Sequence, residues 1–151
     1  MEWMILPFKR YFDFRGRSRR KEFWMFALLN MIVTAVIYIL LFMTGGAGAL
    51  LNDAQSGAGA PFGFLFGGVG ILLLIWGVIT IIPSIMVTIR RFHDRDMSGW
   101  WYLGFIVASF IPVLGLIAAI ALLVVMALPG TPGPNRFGPD PKDPTSAAVF
   151  E

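Results

Sequence analysis

The chain has 151 residues, of which 57% are hydrophobic and 14% are charged, and its formal net charge is +3. A soluble domain has about a quarter of its residues charged, so this composition excludes an ordinary soluble protein and favours a single-domain integral membrane protein. The chain contains no cysteine and one histidine. This excludes disulfides and thiolate sites, and we expect no metal site and no cofactor.

Basic residues are concentrated beside the apolar stretches. Residues 1–22 contain seven Lys and Arg against three acidic residues, and residues 90–97 contain three Arg against two Asp. This placement is typical of the positive-inside signal and of contact with anionic lipids. We therefore expect a cytoplasmic N-terminus and membrane lipids as partners. No nucleic-acid partner is expected, because no DNA-reading module fits into the chain.

The N-terminal segment is rich in aromatic residues. Pro7 predicts the first turn of a short helix, on which Phe8, Tyr11 and Phe12 would share one face. This pattern predicts an interfacial amphipathic helix, and a disordered terminus is the alternative. The basic run that follows, at residues 15–22, is either an orientation signal or a site for phosphate or anionic lipid, since guanidinium groups match phosphate geometry.

Two long uncharged stretches, at residues 23–43 and 62–89, predict membrane-spanning helices. The first has about 21 residues, enough to cross ~30 Å of hydrocarbon at 1.5 Å per residue. Around the start of the second stretch, Gly59, Gly63 and Gly67 recur every four residues. This spacing is typical of closely packed helices, so we expect these glycines at a helix–helix interface.

The last apolar stretch, residues 100–128, is interrupted by Pro112 and Gly115. A single helix of that length would reach ~43 Å and would have to tilt strongly in a ~30 Å core. We favour a hairpin of two short helices, which returns the C-terminal tail to the side of the basic segments. Residues 1–144 are expected to form one membrane domain, and residues 145–151 a frayed tail.

The expected fold is therefore an all-α integral membrane protein. It consists of a small helical bundle with two full spans and a C-terminal helical hairpin, or one long kinked span in place of the hairpin. An N-terminal interfacial helix precedes the first span.

Three polar motifs flank the predicted spans. We name them the N-terminal motif (residues 12–24, FDFRGRSRRKEFW), the central motif (residues 90–101, RRFHDRDMSGWW) and the C-terminal motif (residues 129–141, PGTPGPNRFGPDP). In this order and spacing they resemble the YhaH-like bacterial inner-membrane proteins, domain-of-unknown-function family 805. The resemblance covers nearly the whole chain and implies a small multi-span protein of the bacterial inner membrane. It implies no established activity.

If the hairpin returns the tail, the three motifs meet on one side of the membrane. Buried charges need partners, so we expect Glu22 and Asp94 to pair with arginines. The cluster either fixes the helix ends or binds an anion. Asp96 and Met97 depart from the family pattern of a small and then a polar or basic residue, which weakens a phosphate-binding interpretation. The predicted cluster contains Arg17, Arg19, Glu22, Arg91, His93, Asp94, Arg95, Asn135 and Arg136, and the predicted interface anchors are Trp24, Trp100 and Trp101.

The candidate functions follow from these features. Catalysis by His93 with Asp94 and Ser98 is disfavoured, because no nucleophile elbow or phosphate loop is present; we expect no catalytic residue and no enzymatic activity. A transporter component is also disfavoured, because no ionisable residue lies inside a predicted span. We favour a structural or accessory subunit with a membrane-protein partner or a homo-oligomeric state. The alternative is an anionic-lipid or small-anion binding module at the cytoplasmic leaflet.

Overall fold

The computed structural model describes residues 2–44, 48, 68 and 70–143. Gly59, Gly63, Gly67 and residues 145–151 lie outside this part of the chain. Within it the secondary structure is helical, with no strand, and the prediction of an all-α fold is confirmed. The helices are α1 (Glu2–Lys9), α2 (Arg20–Met43), α3 (Gly70–Asp94), α4 (Trp100–Ser109) and α5 (Pro112–Ala127).

Helices α2 and α3 are long and apolar enough to cross a membrane. With 24 and 25 residues, they reach about 36 and 38 Å, more than the ~30 Å of a hydrocarbon core. Each carries its charged residues at one end, α2 in its first turn and α3 in its last. Helix α2 begins three residues before the predicted span, because the polar residues Arg20, Lys21 and Glu22 extend it beyond the apolar stretch.

The last apolar stretch forms the predicted hairpin. Helices α4 and α5 pack against each other, and Pro112 at the start of α5 holds Ile111 extended, with φ −103° and ψ 116°. A residue before proline is disfavoured in the helical region, which separates the two helices. A Cβ on Gly115 would lie 2.9 Å from the Ser109 carbonyl oxygen. The arms reach about 15 and 24 Å, each less than the hydrocarbon core.

The predicted N-terminal helix is present, but its predicted bounds are wrong. Helix α1 ends at Lys9, before Tyr11 and Phe12, and Pro7 is buried near its end instead of starting it. Proline has no amide proton, so the backbone hydrogen bond to the carbonyl four residues earlier is missing. Near the C-terminus of such a short helix only this one hydrogen bond is lost. Phe8 packs edge-to-face on Phe26 of α2, with ring centroids 5.4 Å apart.

The chain divides into two compact units, residues 1–26 with 83–151, and residues 27–82. The second unit has Ile37 and Leu41 among its buried side chains, and its Thr80 hydroxyl donates to the Trp76 carbonyl at 2.8 Å. All three polar motifs belong to the first unit. Among the residues of the first unit that the structure describes, the buried apolar side chains include Phe26, Met86, Val87, Phe92, Ala118 and Met126.

Candidate functional site

The last turn of α3 places three charged side chains inside the first unit. Arg90 and Arg91 have no exposed surface, and Asp94 is 3% exposed. Adjacent helical residues point in different directions, whereas residues three apart share a face. Arg90 and Arg91 therefore reach different partners, and Arg91 pairs with Asp94 on its own face of the helix. Together with Arg17 and Glu22, these three residues form what we call the arginine network.

One half of the arginine network is centred on Asp94, whose carboxylate lies between two guanidinium groups. Its Oδ1 accepts a hydrogen bond from Arg17 Nε at 3.0 Å, and its Oδ2 accepts one from Arg91. The two terminal nitrogens of Arg17 donate to the carbonyls of Thr131 and Gly133, each at 2.6 Å. Arg17 thus connects the N-terminal motif to both of the other motifs.

The C-terminal end of α5 is held by basic side chains. Arg91 donates through Nε to the Met126 carbonyl at 3.2 Å and through Nη2 to the Leu128 carbonyl. Arg20 donates to the Ala127 carbonyl at 3.2 Å. The last carbonyls of a helix lack intrahelical donors, and cations are favoured at this end of the helix dipole. These contacts fix the returning arm of the hairpin beside α3.

The other half of the arginine network joins Arg90 to the N-terminal motif. Arg90 Nη2 donates to Glu22 Oε1 at 2.9 Å, and its Nη1 donates to the Asp13 carbonyl at 2.9 Å. The second oxygen of Glu22 accepts from the Ser18 hydroxyl at 2.6 Å, while the Ser18 amide donates to the Arg90 carbonyl at 3.2 Å. Both acidic groups of the network are therefore paired with arginines, as expected for buried charges.

One turn of the C-terminal motif packs against the end of α3. Asn135 Nδ2 donates to the His93 carbonyl at 2.8 Å, and Arg136 forms an exposed ion pair with Asp96 at 3.0 Å. The Phe137 ring stacks on the His93 imidazole, with centroids 4.0 Å apart and planes inclined by 3°. Three consecutive residues of the turn thus contact the chain where α3 ends.

Helix α3 ends in a Schellman-type arrangement. The Asp96 amide donates to the His93 carbonyl and the Met97 amide to the Phe92 carbonyl, each at 3.0 Å. Asp96 has φ 56°, a left-handed conformation in which glycine is usual and Asp is tolerated. Asp96 thus occupies a position whose left-handed backbone favours a small residue. This explains physically why the family pattern has a small residue there.

The C-terminal motif also depends on a glycine and on an acid outside the predicted cluster. A Cβ on Gly130 would overlap the carboxylate of Asp94, so only glycine allows the chain to approach this group. The Asp140 carboxylate accepts bonds from the Lys142 amide at 2.9 Å and the Gly133 amide at 3.1 Å. These N–H groups, Lys142 first, lower the pKa of Asp140 from its ordinary value.

The structure distributes the predicted cluster over several contacts. Arg17, Glu22, Arg91 and Asp94 belong to the arginine network. Arg19 donates to the Pro141 carbonyl and lies 5.5 Å from the centre of the Trp3 ring. Arg95 donates to the Pro129 carbonyl at 3.3 Å, and His93, Asn135 and Arg136 form the contacts at the end of α3. Trp24, Trp100 and Trp101 are 42%, 78% and 56% exposed; their role as interface anchors stays a prediction.

The sequence did not predict the roles of Arg90, Ser18 and Thr131. The role of Arg90 could have been predicted, because it is adjacent to Arg91 in the sequence and Glu22 needed a basic partner. Ser18 lies four residues before Glu22 and bonds it, but a serine in a basic run gives no such signal. Thr131 acts mainly through its backbone, whose amide donates to the Asp94 carbonyl at 2.8 Å.

Comparison with known proteins supports the resemblance drawn from the motifs. The sequence model of the family described as "Protein of unknown function (DUF805)" matches residues 11–139. The chain belongs to this family. The matched range of the DUF805 family contains the arginine network, the hairpin and nearly all of the three motifs.

Similar proteins occur in Escherichia coli K12. The chain is 42% identical to "Inner membrane protein YhaH" over 142 residues, which cover 94% of this chain and 98% of the relative. It is 36% identical to "Inner membrane protein YhaI", with 94% and 97% coverage. No solved structure shows a significant match. The names of the relatives and the two long apolar helices agree that this DUF805 protein is a membrane protein.

Proposed function

We propose that this protein is a structural or accessory subunit of a larger inner-membrane assembly, and that the arginine network fixes the ends of its helices. The main support is the direction of the guanidinium groups. All three nitrogens of Arg17 and all three of Arg91 donate to acceptors within the chain. Neither side chain presents the two-pronged donor set with which arginine binds phosphate.

The surface that such a subunit would offer is the outer face of α5. Val113, Ile117, Ile120 and Val124 follow one another at helical spacing and are each at least 50% exposed. Residues at i, i+4, i+7 and i+11 share one side of a helix. An apolar helix face in a bilayer contacts lipid tails or a helix of another protein, and helices associate through packing. We assign this face to the partner or to a second copy.

The experiment that tests this proposal is purification of the tagged protein in a gentle detergent, with mass spectrometry of bound proteins. A partner at a fixed ratio, or a defined homo-oligomer, is expected. Ile117→Trp combined with Ile120→Trp should abolish the association, because fluid lipid accommodates added bulk and a packed helix does not. Val78→Trp is the matched control on α3, where Val78 is 62% exposed.

The predicted helix-packing glycines give a second test. Gly63→Leu combined with Gly67→Leu should also abolish the association if these glycines contribute to it, because leucine side chains would keep the helices apart. A monomer without a stoichiometric partner in every mild detergent would contradict the subunit role.

The proposed orientation places the arginine network and the N-terminus on the cytoplasmic side, following the positive-inside rule. Because the chain has no cysteine, Arg15→Cys introduces a unique thiol at an exposed position of the N-terminal motif. In intact spheroplasts a membrane-impermeant maleimide should not label it, whereas after lysis it should. Labelling before lysis would reverse the orientation.

Binding of anionic lipid is the second candidate, and exposed basic side chains favour it. Arg15, Arg20, Lys21 and Arg136 are exposed, and juxtamembrane basic residues contribute about 1 kcal/mol each near an anionic surface. Arg15→Gln with Lys21→Gln should then lower the retention of phosphatidylglycerol about tenfold or more. Replacing Arg17 or Arg91 would not test this candidate, because these side chains hold the fold.

A further inference from the structure

A cavity of about 520 Å³ lies between the end of α3 and the start of α4, and it is open on one side. Its volume falls within the range of about 300–1,000 Å³ that is usual for small-molecule sites. Most of its lining is apolar, and the cavity does not involve the arginine network. The lining residues on which the inference rests are Ile85, Ile89, His93, Ser98, Leu103 and Ile106.

The lining changes from apolar to polar along the cavity. Ile85, Ile89 and His93 are four residues apart on α3 and extend over about 12 Å. His93 and Ser98 lie where α3 ends, whereas Ile85 lies two turns deeper. On the opposite wall, Leu103 and Ile106 of α4 are apolar. A ligand that matches this cavity has a narrow apolar tail and a polar group at one end.

The polar end of the cavity is formed by His93 and Ser98. The His93 imidazole stacks on Phe137, with ring centroids 4.0 Å apart, so its position at this end is fixed. The Ser98 hydroxyl accepts a hydrogen bond from the Trp100 amide at 3.4 Å, and a hydroxyl that accepts a bond still carries a proton to donate. A polar group at the end of a ligand therefore meets a hydrogen-bond donor here.

We propose that this cavity binds one acyl chain of a bilayer phospholipid, with the ester or phosphate oxygens of the lipid at the His93 and Ser98 end. The surroundings supply this ligand, because the chain is a membrane protein and Leu103 and Ile106 are also 49% and 37% exposed. The polar end of the cavity lies where α3 ends and the apolar end lies deeper along the span, which is the order of headgroup and acyl chain in one leaflet of a bilayer. A single acyl chain fits the available volume.

Photolabelling in vesicles tests the site. The protein is reconstituted in phosphatidylethanolamine and phosphatidylglycerol that contain a phosphatidylethanolamine with a diazirine near the end of one acyl chain. After irradiation, mass spectrometry of peptides should show label concentrated at Ile85, Ile89 and Ile106. Leu103→Trp fills the cavity and should lower this labelling about tenfold. Val107→Trp, on α4 outside the cavity lining and 59% exposed, should leave it unchanged.

Two more variants keep the test decisive. If Leu103→Trp does not give a monodisperse protein, Ile106→Trp blocks the same space. His93→Phe retains an aromatic ring for Phe137 but lacks the polar atoms, and it should shorten the retention of phospholipid in native mass spectrometry. Uniform labelling of all exposed apolar faces, or cavity labelling that survives both tryptophan variants, would overturn the proposal. So would displacement of the lipid by a co-purified protein.

Discussion

Arg17 and Asp94 lie 77 residues apart in the sequence, and Arg17 Nε is 3.0 Å from Asp94 Oδ1. Their side chains are 1% and 4% exposed. A buried charge that loses its partner is strongly destabilising, because its interaction with water has already been lost. Among the described residues, this pair is therefore one of two buried ion pairs that join the N-terminal and central motifs, and the other is Glu22 with Arg90.

Arg17→Gln should lower the free energy of unfolding by about 3–5 kcal/mol. The buried Asp94 carboxylate would lose one of its two guanidinium partners, and the carbonyls of Thr131 and Gly133 would lose their donors. Arg17→Lys should rescue little, since an ammonium group cannot reproduce the planar fork. Thermal unfolding in detergent measures the loss. Arg15→Gln, at an exposed position of the same motif, is the control and should leave the midpoint unchanged. An unaffected Arg17→Gln variant would contradict the structural role of the network.

Glu22→Gln should cost about 3–5 kcal/mol, because Arg90 would remain buried without a counter-charge. Adding Arg90→Met should recover part of this loss, since the double variant buries neither charge. A double-mutant cycle in detergent would then give a coupling energy of about 0.5–3 kcal/mol. Additive effects of the two changes would show that the pair does not stabilise the fold as a unit.

Gly130→Ala should destabilise the protein by about 2–3 kcal/mol, because the added Cβ would displace the Asp94 carboxylate from its arginines. Gly104→Ala is the matched control: a Cβ there meets nothing within 4 Å, and alanine favours a helix by up to about 1 kcal/mol over glycine. The two variants should thus shift the unfolding midpoint in opposite directions. Equal shifts would show that Asp94 can move without cost.

Asp96→Gly should stabilise the protein by about 0.5 kcal/mol. Glycine removes the strain of the left-handed conformation, worth about 1–2 kcal/mol, while the exposed ion pair with Arg136 that is lost contributes about 0–1 kcal/mol. Asp96→Ala keeps the strain and loses the pair, so it should be less stable than the wild type. If alanine and glycine behave alike in thermal unfolding, the backbone conformation at this residue does not limit stability.

The turn closed by Asp140 should respond to acid. Because the folded-state pKa of this carboxyl lies below its ordinary value of 3.8, its contribution to stability is fully present above that value. The contribution is lost as the pH falls through the lower folded-state pKa. In NMR titrations the amide shifts of Gly133 and Lys142 should follow this step, and Asp140→Asn should abolish it. A titration midpoint above 3.8 would contradict the assigned hydrogen bonds.

The sequence was sufficient to predict the hairpin, because the apolar stretch is too long for one helix and Pro112 interrupts it. It also indicated that Glu22 and Asp94 need arginines, since buried acids must be paired. The choice between Arg90 and Arg91 depends on how α3 is rotated about its axis, and that rotation is set by packing in three dimensions. The bounds of α1 were mispredicted, because a single proline at residue 7 fits the beginning and the end of a short helix.

Contacts made by backbone groups were the least predictable part of the site. The acceptors of Arg17 are carbonyls of Thr131 and Gly133, and every residue type carries a carbonyl. Likewise, the close approach of Gly130 to Asp94 depends on the path of the chain, whereas the residues around it read only as a segment rich in Pro and Gly. Such contacts leave no side-chain pattern in the sequence.

The acceptors of Arg17 and Arg91 include backbone carbonyls between residues 126 and 133. During synthesis these carbonyls follow both arginines by at least 35 residues. Until they emerge, the two guanidinium groups have to stay hydrated at the membrane surface, although α2 and α3 can already have inserted. A chain that stops before residue 126 therefore leaves both arginines without these acceptors. We therefore expect these charges to leave water when residues 126–133 emerge, and not when the two spans insert.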